Sequence, residues 1–284
     1  MDDLGGFVSD DELAIPYLQK LGWDVETVSW RSRTAEWERF SAVIIRSTWD
    51  YQQDLARFLI AVEAIDRVTR LANPLPIVKW NADKGYLREL ETKGVKTVPT
   101  LWGDSISDSQ VISKLFAQIG SDEIVIKPTV SASADSTFRL APASHLMPEV
   151  CLAFTNRAYM AQPFMQGIVQ EGEYSLFYFN GDYSHTILKT PKPGDFRVQE
   201  EHGGLIVGVQ PSDDLLAAGA QVMSNSPENL LYARVDLVTD GHGGYYLVEL
   251  ELIEPALFLG TDHAAPERFA NAINRYLELD TKAN

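Results

Sequence analysis

One stretch near the C-terminus limits the fold more than any other in this 284-residue chain: Ala233-Arg234-Val235-Asp236-Leu237-Val238, the loop TDGHGG, then Tyr245-Tyr246-Leu247-Val248-Glu249-Leu250-Glu251. Two β-rich runs around a glycine-rich loop read as a hairpin. Side chains alternate faces along a strand, so Arg234 and Asp236 share one face, as do Glu249 and Glu251. With Val238 opposite Tyr245, all four fall on the same side. The other side carries Val235, Leu237, Val248 and Leu250 and must be core. Three carboxylates on one face repel one another, and one arginine compensates only in part. A hard divalent cation with oxygen ligands answers that repulsion, and Mg²⁺ carried with a polyphosphate fits. A solvated charged face on an edge hairpin is the plain alternative.

The overall charge narrows the partners. Lys plus Arg number 24 and Asp plus Glu 40, a formal charge of −16. Without a Lys/Arg run, such a surface repels duplex nucleic acid and anionic lipid, so neither nucleic acid nor membrane is an expected partner. A hydrophobic share of 45 % and a charged share of 23 % argue against a disordered, collagen-like or coiled-coil chain. No run approaches the roughly 18 to 20 apolar residues of a membrane span. The opening MDDLGGFVSDDEL is acidic and unlike a signal peptide. The lone Cys151 excludes an intrachain disulfide and a cysteine-based zinc cluster. The cytoplasm is the default compartment.

The expected organisation is a small α/β lobe followed by two α+β lobes, with boundaries at 1–76, 77–165 and 166–284. Residues 10–22 read as a helix, Asp24–Trp30 and Ser41–Arg46 as strands, and Asp54–Val68 as a helix. An opening helix with nothing before it leaves this small parallel sheet one strand short, so a missing first strand, or a stub at Gly6–Val8, is expected. Asn73-Pro74-Leu75-Pro76 is a rigid break. Beyond it come a helix over Ala82–Lys93, strands at Lys96–Leu101, Glu123–Lys127, Thr137–Leu140 and 158–164, and a helix over Ser107–Ile119. From Glu173 a mostly antiparallel sheet follows: 173–179, 183–189, 205–210, 231–238 and 245–252. Helices at 212–223 and 265–277 complete it.

Three lysines stand where chemistry could use them. Lys127 ends the apolar strand IVIK, before Pro128 and a loop of serines and alanines. A strand that delivers a lysine beside a small-residue loop can close over phosphates, although the glycines of a phosphate-binding loop are missing and an ordinary turn is the alternative. Lys84 opens a helix after Asp83, and Lys189 ends the strand HTILK; either alone reads as a surface lysine. The hinge Gln162-Pro163-Phe164-Met165, followed by Glu173, can offer backbone groups to a base and a carboxylate to ribose hydroxyls.

Taken in order, Asp83-Lys84, Ile126-Lys127-Pro128, Gln162 to Met165 with Glu173, Arg234-Val235-Asp236 and Glu249-Leu250-Glu251 resemble the motif series of the ATP-grasp superfamily of carboxylate ligases. The resemblance runs from about Ala72 to Phe258, and five elements in sequence are far more specific than one. The chain is similar to bacterial glutathione synthetase, to the ligase that adds glutamate to a ribosomal protein, and to a cycloserine-forming ligase that closes a ring within one substrate. The resemblance implies an ATP-grasp fold, with a parallel-sheet N-terminal lobe and two α+β lobes clasping the nucleotide. It implies an ATP- and Mg²⁺-dependent carboxylate–amine ligase, ADP-forming and working through an acyl phosphate on an amino acid or small peptide, with Mn²⁺ as a substitute ion. An intramolecular cyclising ligase and a non-catalytic nucleotide-binding module are the alternatives. Because relatives are often dimers or tetramers, a homo-oligomer belongs to the expectation.

By the same resemblance, Lys84 and Lys127 would contact the α- and β-phosphates, and Lys189 the nucleotide. Gln162, Phe164 and Met165 would face adenine, and Glu173 the ribose. Asp236, Glu249 and Glu251 would hold two Mg²⁺ ions. Arg234 and Arg197 would stabilise the charge that develops on the transferring phosphoryl group. Arg46, Ser47, Trp49 and Asp50, with His202, Gly203, Gly204 and Glu254, are the substrate candidates. Glu251 stands where the family often has Asn, which adds a negative charge. His185, His202 and His242 include no pair at metal spacing, and Ser47 and Thr48 have no base partner for a nucleophilic serine.

Overall fold

A computed structural model describes residues 1–3, 5 and 9–281. Asp11–Ala14 form a 3₁₀ turn that runs into α1 (Ile15–Lys20). Then come β1 (Ala42–Ile44), α2 (Leu55–Asp66), β2 (Arg70–Ala72), α3 (Leu75–Asn81) and α4 (Tyr86–Thr92). The middle of the chain holds β3 (Leu101–Gly103), α5 (Ser109–Ile119), β4 (Ile124–Pro128), β5 (Phe138–Leu140), α6 (Met147–Ala153), β6 (Tyr159–Pro163) and α7 (Gly167–Gln170). The remainder is β7 (Glu173–Phe179), β8 (Asp182–Thr190), β9 (Leu205–Gly208), α8 (Asp213–Asn225), β10 (Tyr232–Thr239), β11 (Tyr245–Glu251) and α9 (Ala265–Thr281). None of these helices is long and apolar enough to cross a membrane.

Three sheets form among the described residues. The first pairs β1 with β2 in parallel; the second is antiparallel, ordered β3-β6-β4-β5; the third is antiparallel, ordered β11-β10-β7-β8-β9. The architecture is that of the expected α/β and α+β class. Asp24–Trp30 alternates like a strand yet stays irregular, and the expected stub at Gly6–Val8 lies outside the described residues. The rigid break at 73–76 is also a helix start: Pro74 is the N-cap of α3 and Pro76 sits in its first turn, where a missing N–H costs nothing. Only Thr97 of the expected Lys96–Leu101 strand bridges to a neighbour, Leu247, before β3 begins at Leu101.

The third sheet carries the site because one of its faces changes character along the strands. Near α9 that face shows Tyr232, Phe177 and Ile187, packed with Phe269 and Ile273. One pair further along, the same face shows Arg234, Asp236, Ser175, Glu173 and Lys189, set by the pairings Asp236 with Ser175 and Glu173 with Lys189. The opposite face (Leu176, Val235, Leu237, Leu247, Leu250) is core, closed by Leu215 and Val222 of α8. β11 is the outer strand, and its free edge is satisfied from elsewhere. The Asn81 side chain donates to Leu250 C=O at 2.8 Å and accepts from Leu252 N at 2.7 Å. Tyr86 Oη accepts from Leu250 N, and Lys96 C=O accepts from Leu247 N. Asn73 similarly donates to Tyr232 C=O and Leu252 C=O.

Candidate active site

The hairpin register differs from the expected one. Val238 lies opposite Tyr246, not Tyr245, and continued without interruption this pairing would set Val248 against Asp236. A β-bulge between Asp236 and Leu237 takes up one extra residue, so Asp236 faces Glu249 and Arg234 faces Glu251. Val248, expected in the core, is only half-buried and lines the cavity beside Glu249. Single oxygens of Asp236, Glu249 and Glu251 lie within 4.8 Å of one another, close enough to share a metal ion. Three oxygen donors on one face suit a hard divalent cation.

These carboxylates front a cavity of about 380 Å³ between the second and third sheets. From β4, Val125 and Lys127 point into it while Ile124 and Ile126 point to the core, as strand alternation requires. Gln162, opposite Val125 on β6, lines it with Met165, and its Nε2 donates to Thr100 Oγ1 at 2.9 Å. Phe164 does not line it: its ring sits 3.7 Å beneath the Arg139 guanidinium and edge-on to Phe196. Lys84 is buried, donates to Ser131 C=O at 2.8 Å and pairs with Glu249 at 3.1 Å. Lys189 pairs with Glu173 at 2.5 Å and with Asp236 at 3.5 Å. Arg234 bonds both Asp236 and Glu251. Ser175 donates its hydroxyl to Asp236 at 2.5 Å, a contact with no sequence signal.

Lys127 is the exception among these cations, with no hydrogen bond or ion pair among the described residues. Burial pushes its ammonium pKa down, opposed by Glu249 and aided by Lys84. Burial would also raise Asp236, but Arg234 and Lys189 outweigh it and hold the carboxyl down at about 2. At Glu251 burial prevails over Arg234, with Glu249 and Asp236 adding to it, and the pKa climbs to about 7. One carboxylate of the cluster is thus firmly ionised and another waits for more positive charge.

The loop after β4 is tied down on both sides. Lys84 N donates to Thr129 C=O and Thr129 Oγ1 to Asp83; Arg157 reaches Val130 C=O and Ser136. Ser133, Ala134 and Ser136 take φ of 50°, 55° and 50°, the left-handed region where glycine is the easier residue.

The substrate candidates separate. Trp49 and Glu254 line the cavity, and Trp49 Nε1 donates to Glu254 C=O at 2.8 Å. Arg197 lines it too, held by Asp195 at 2.8 Å. Arg46 lies behind that wall, paired with Asp11 at 2.9 Å and donating to Pro255 C=O at 2.6 Å. Asp50 is turned away, bonded to Trp30 Nε1 and Arg31, and the Ser47 carbonyl receives the N-terminal ammonium. His202 contacts Ser133 C=O at 3.4 Å; Gly203 closes a turn at φ +84°, and Gly204 packs so closely on the Val198 carbonyl that no Cβ fits. Tyr51, which with Trp49 beside Asp50 the sequence offers as a substrate wall or as simple packing, is buried on the cavity wall.

Relatives carry the same plan. Residues 1–73 match the family model of the N-terminal domain of D-cycloserine synthetase DcsG. The cycloserine biosynthesis protein DcsG of Streptomyces lavendulae is 31 % identical over 273 residues, covering 91 % of this chain and 90 % of the relative. The crystal structure of D-cycloserine synthetase DcsG superposes with a TM-score of 0.82 at 30 % identity, over 94 % of both chains. The fold alone extends to the ATP-grasp ligase PsnB in complex with a phosphomimetic variant of its minimal precursor, Mg and ADP (TM-score 0.66, 15 % identity, 94 % of each chain). It extends equally to D-alanine–D-alanine ligase of Bacillus anthracis (TM-score 0.66, 14 % identity, 98 % of this chain and 97 % of that one). With the ordered lysines, the arginine and the carboxylate cluster around one cavity, this chain belongs to the DcsG family of ATP-grasp ligases.

Proposed function

We propose that the protein is an ATP- and Mg²⁺-dependent ligase that activates a carboxylate as its acyl phosphate and closes a ring onto a nitrogen of the same small molecule, releasing ADP and phosphate. The observation that carries this reading is the carboxylate cluster, three oxygen donors within 4.8 Å, faced by Lys84, Lys127 and Lys189 across one cavity. Ring closure is preferred to joining two molecules because the full-length likeness is to a cycloserine-forming enzyme. The complete set of Lys84, Lys127, Arg234, Asp236, Glu249 and Glu251 speaks against a non-catalytic module.

In this reading Lys127, which has no ion pair among the described residues, and Lys84 bind the α- and β-phosphates, and Lys189 binds the nucleotide beside Glu173, which takes the ribose. Gln162 and Met165 border the base. Mg²⁺, held by Asp236, Glu249 and Glu251, supplies positive charge to phosphate oxygens; Mn²⁺, also an oxygen-seeking ion, serves in its place. Arg234 and Arg197 offset negative charge as the substrate carboxylate approaches the γ-phosphate, an effect worth several kcal/mol in such sites. The three lobes, 1–76, 77–165 and 166–284, each contribute one sheet, and the cytoplasm supplies the ATP.

Calorimetric titration with ADP, with and without Mg²⁺, tests the site. Micromolar, magnesium-dependent binding is expected in the wild type, and Glu249→Gln should weaken the magnesium dependence by tenfold or more, on the order of 1.4 kcal/mol. An unchanged dependence in Glu249→Gln would sink the metal assignment.

A further inference from the structure

Asp236 is the most deeply set of the three clustered carboxylates: its side chain is 3 % exposed, against 27 % for Glu249 and 26 % for Glu251. Its two oxygens are held by different groups. Oδ1 accepts the Ser175 hydroxyl at 2.5 Å, and Lys189 Nζ stands 3.5 Å from it. Oδ2 accepts from Arg234 Nη2 at 2.8 Å, and the same nitrogen bonds Glu251 Oε1. Oδ2 is therefore the oxygen turned toward the rest of the cluster. Arg234 Nε spans both, at 3.0 and 3.2 Å.

These donors differ in what an arriving ligand can do to them. Arg234 and Lys189 line the cavity, and each is shared with a second carboxylate, Glu251 and Glu173. Both are long cationic side chains that a phosphate can draw away. Ser175 is different. It is 0 % exposed and does not line the cavity. β7 sets it directly opposite Asp236, with Phe177 beside it on the same face and Ile187 across on β8, both buried. Its hydroxyl makes no other hydrogen bond among the described residues. Of the side chains that donate to Asp236, it is the one a ligand cannot reach.

We infer that Ser175 is a positioning residue that keeps Asp236 a one-oxygen ligand and so biases the site toward Mg²⁺ over larger divalent ions. The inference rests on the ligase reading and adds to it the choice of ion. A carboxylate offers an ion either one oxygen or both. Mg²⁺ demands near-octahedral geometry at about 2.1 Å, which the narrow bite of two carboxylate oxygens distorts, whereas Ca²⁺ accepts both at about 2.3 to 2.6 Å in a looser shell. With Oδ1 engaged by the hydroxyl, Oδ2 alone is left for the cluster. Removing the hydroxyl frees Oδ1 and lets the carboxylate turn. The larger ion then gains a second oxygen, and the smaller one loses its fixed ligand.

ADP is the probe, titrated calorimetrically in saturating Mg²⁺ and again in saturating Ca²⁺. The wild type should bind Mg·ADP at least about tenfold more tightly than Ca·ADP. Ser175→Ala should lose about tenfold in Mg·ADP affinity, the usual cost of removing a hydrogen-bond partner from a ligating carboxylate, and less than about threefold in Ca·ADP affinity. Ser175→Cys, which fills nearly the same space with a poor donor, should follow it. A single cooperative thermal transition in each variant checks that it is folded. A merely structural role would weaken both complexes by the same factor. Equal losses with the two ions, an unchanged preference in the folded variants, or no preference in the wild type overturns the inference. Failure of the wild type to bind Mg·ADP is a different result, and it overturns the ligase reading itself.

Discussion

His185 is the residue whose surroundings most clearly exclude a catalytic part. It is buried, stacked on Phe177 at 4.2 Å, and its Nε2–H donates to Leu257 C=O at 2.9 Å. Nδ1 then accepts from the Ser184 hydroxyl, which itself accepts from Arg268 Nε at 3.0 Å. Burial lowers its pKa to about 4. Below the unfolded-state value near 6.5 the unfolded chain takes up a proton that the fold refuses, so stability falls as pH drops from about 6.5 to 4 and is flat above that window. The contribution is about 3 kcal/mol. Urea unfolding at pH 7 and at pH 4 should show a loss smaller by that amount in His185→Gln than in wild type; equal losses would mean that His185 titrates normally in the fold. Sequence alone could say only that no second histidine stood at metal spacing. Charged site residues were more legible, because Lys84, Lys127, Arg234 and the carboxylates recur in an ordered series. Ser175 carries no such signal: a buried serine under a carboxylate is visible only once β7 and β10 are paired.

Between elements, the decisive feature is how β11 is held. Being an edge strand, it would expose its outer N–H and C=O groups, and the protein meets them with side chains from α3 and the start of α4. Asn81 alone bonds two of those groups, Leu250 C=O and Leu252 N, and it is 8 % exposed. Asn81→Ala should therefore destabilise the protein by about 2 to 4 kcal/mol, since each buried group left unpaired costs on the order of 1 to 3 kcal/mol. Denaturant unfolding measures this, and a change below about 0.5 kcal/mol would show that water replaces the amide without cost. Apolar periodicity announced β10 and β11 as strands and placed their carboxylates on one face. It could not announce the bulge at Asp236: strict alternation along β11 puts Leu247 and Leu250 on opposite faces, whereas the extra residue returns both to the core. For the same reason Val248 was assigned to the core. The short β2 was missed where three residues precede a proline-rich break, and α3 was missed because proline was taken to end structure when here it begins a helix.

At the scale of the molecule, residues of the β1–β2 sheet and of the turn after it are fastened by hydrogen bonds to the third sheet and to α9. Tyr232 Oη donates to Ile45 C=O, Asn73 bonds Tyr232 C=O and Leu231 N, and Arg70 reaches the carbonyls of Tyr276 and Leu277. Such contacts join residues more than 150 positions apart, and no local pattern encodes them. In the cavity most charges already pair with one another: Lys84 with Glu249, Lys189 with Glu173 and Asp236, Arg234 with Asp236 and Glu251. A divalent ion arriving alone must compete with Lys84 and Arg234 for its ligands. A polyphosphate arriving alone gains Lys127 but meets three carboxylates. Together they exchange partners, with phosphates taking the lysines as the ion takes the carboxylates, so each should strengthen the binding of the other by the same factor. Differential scanning calorimetry should then show little shift in Tm with Mg²⁺ alone, a small one with ADP alone and a larger one with both. At a hundredfold excess over Kd the pair adds about 2.7 kcal/mol, a rise on the order of 5 °C for a chain of this size. Additive shifts would mean that the ion pairs seen here persist in the loaded enzyme, and that its lysines and carboxylates do not trade partners.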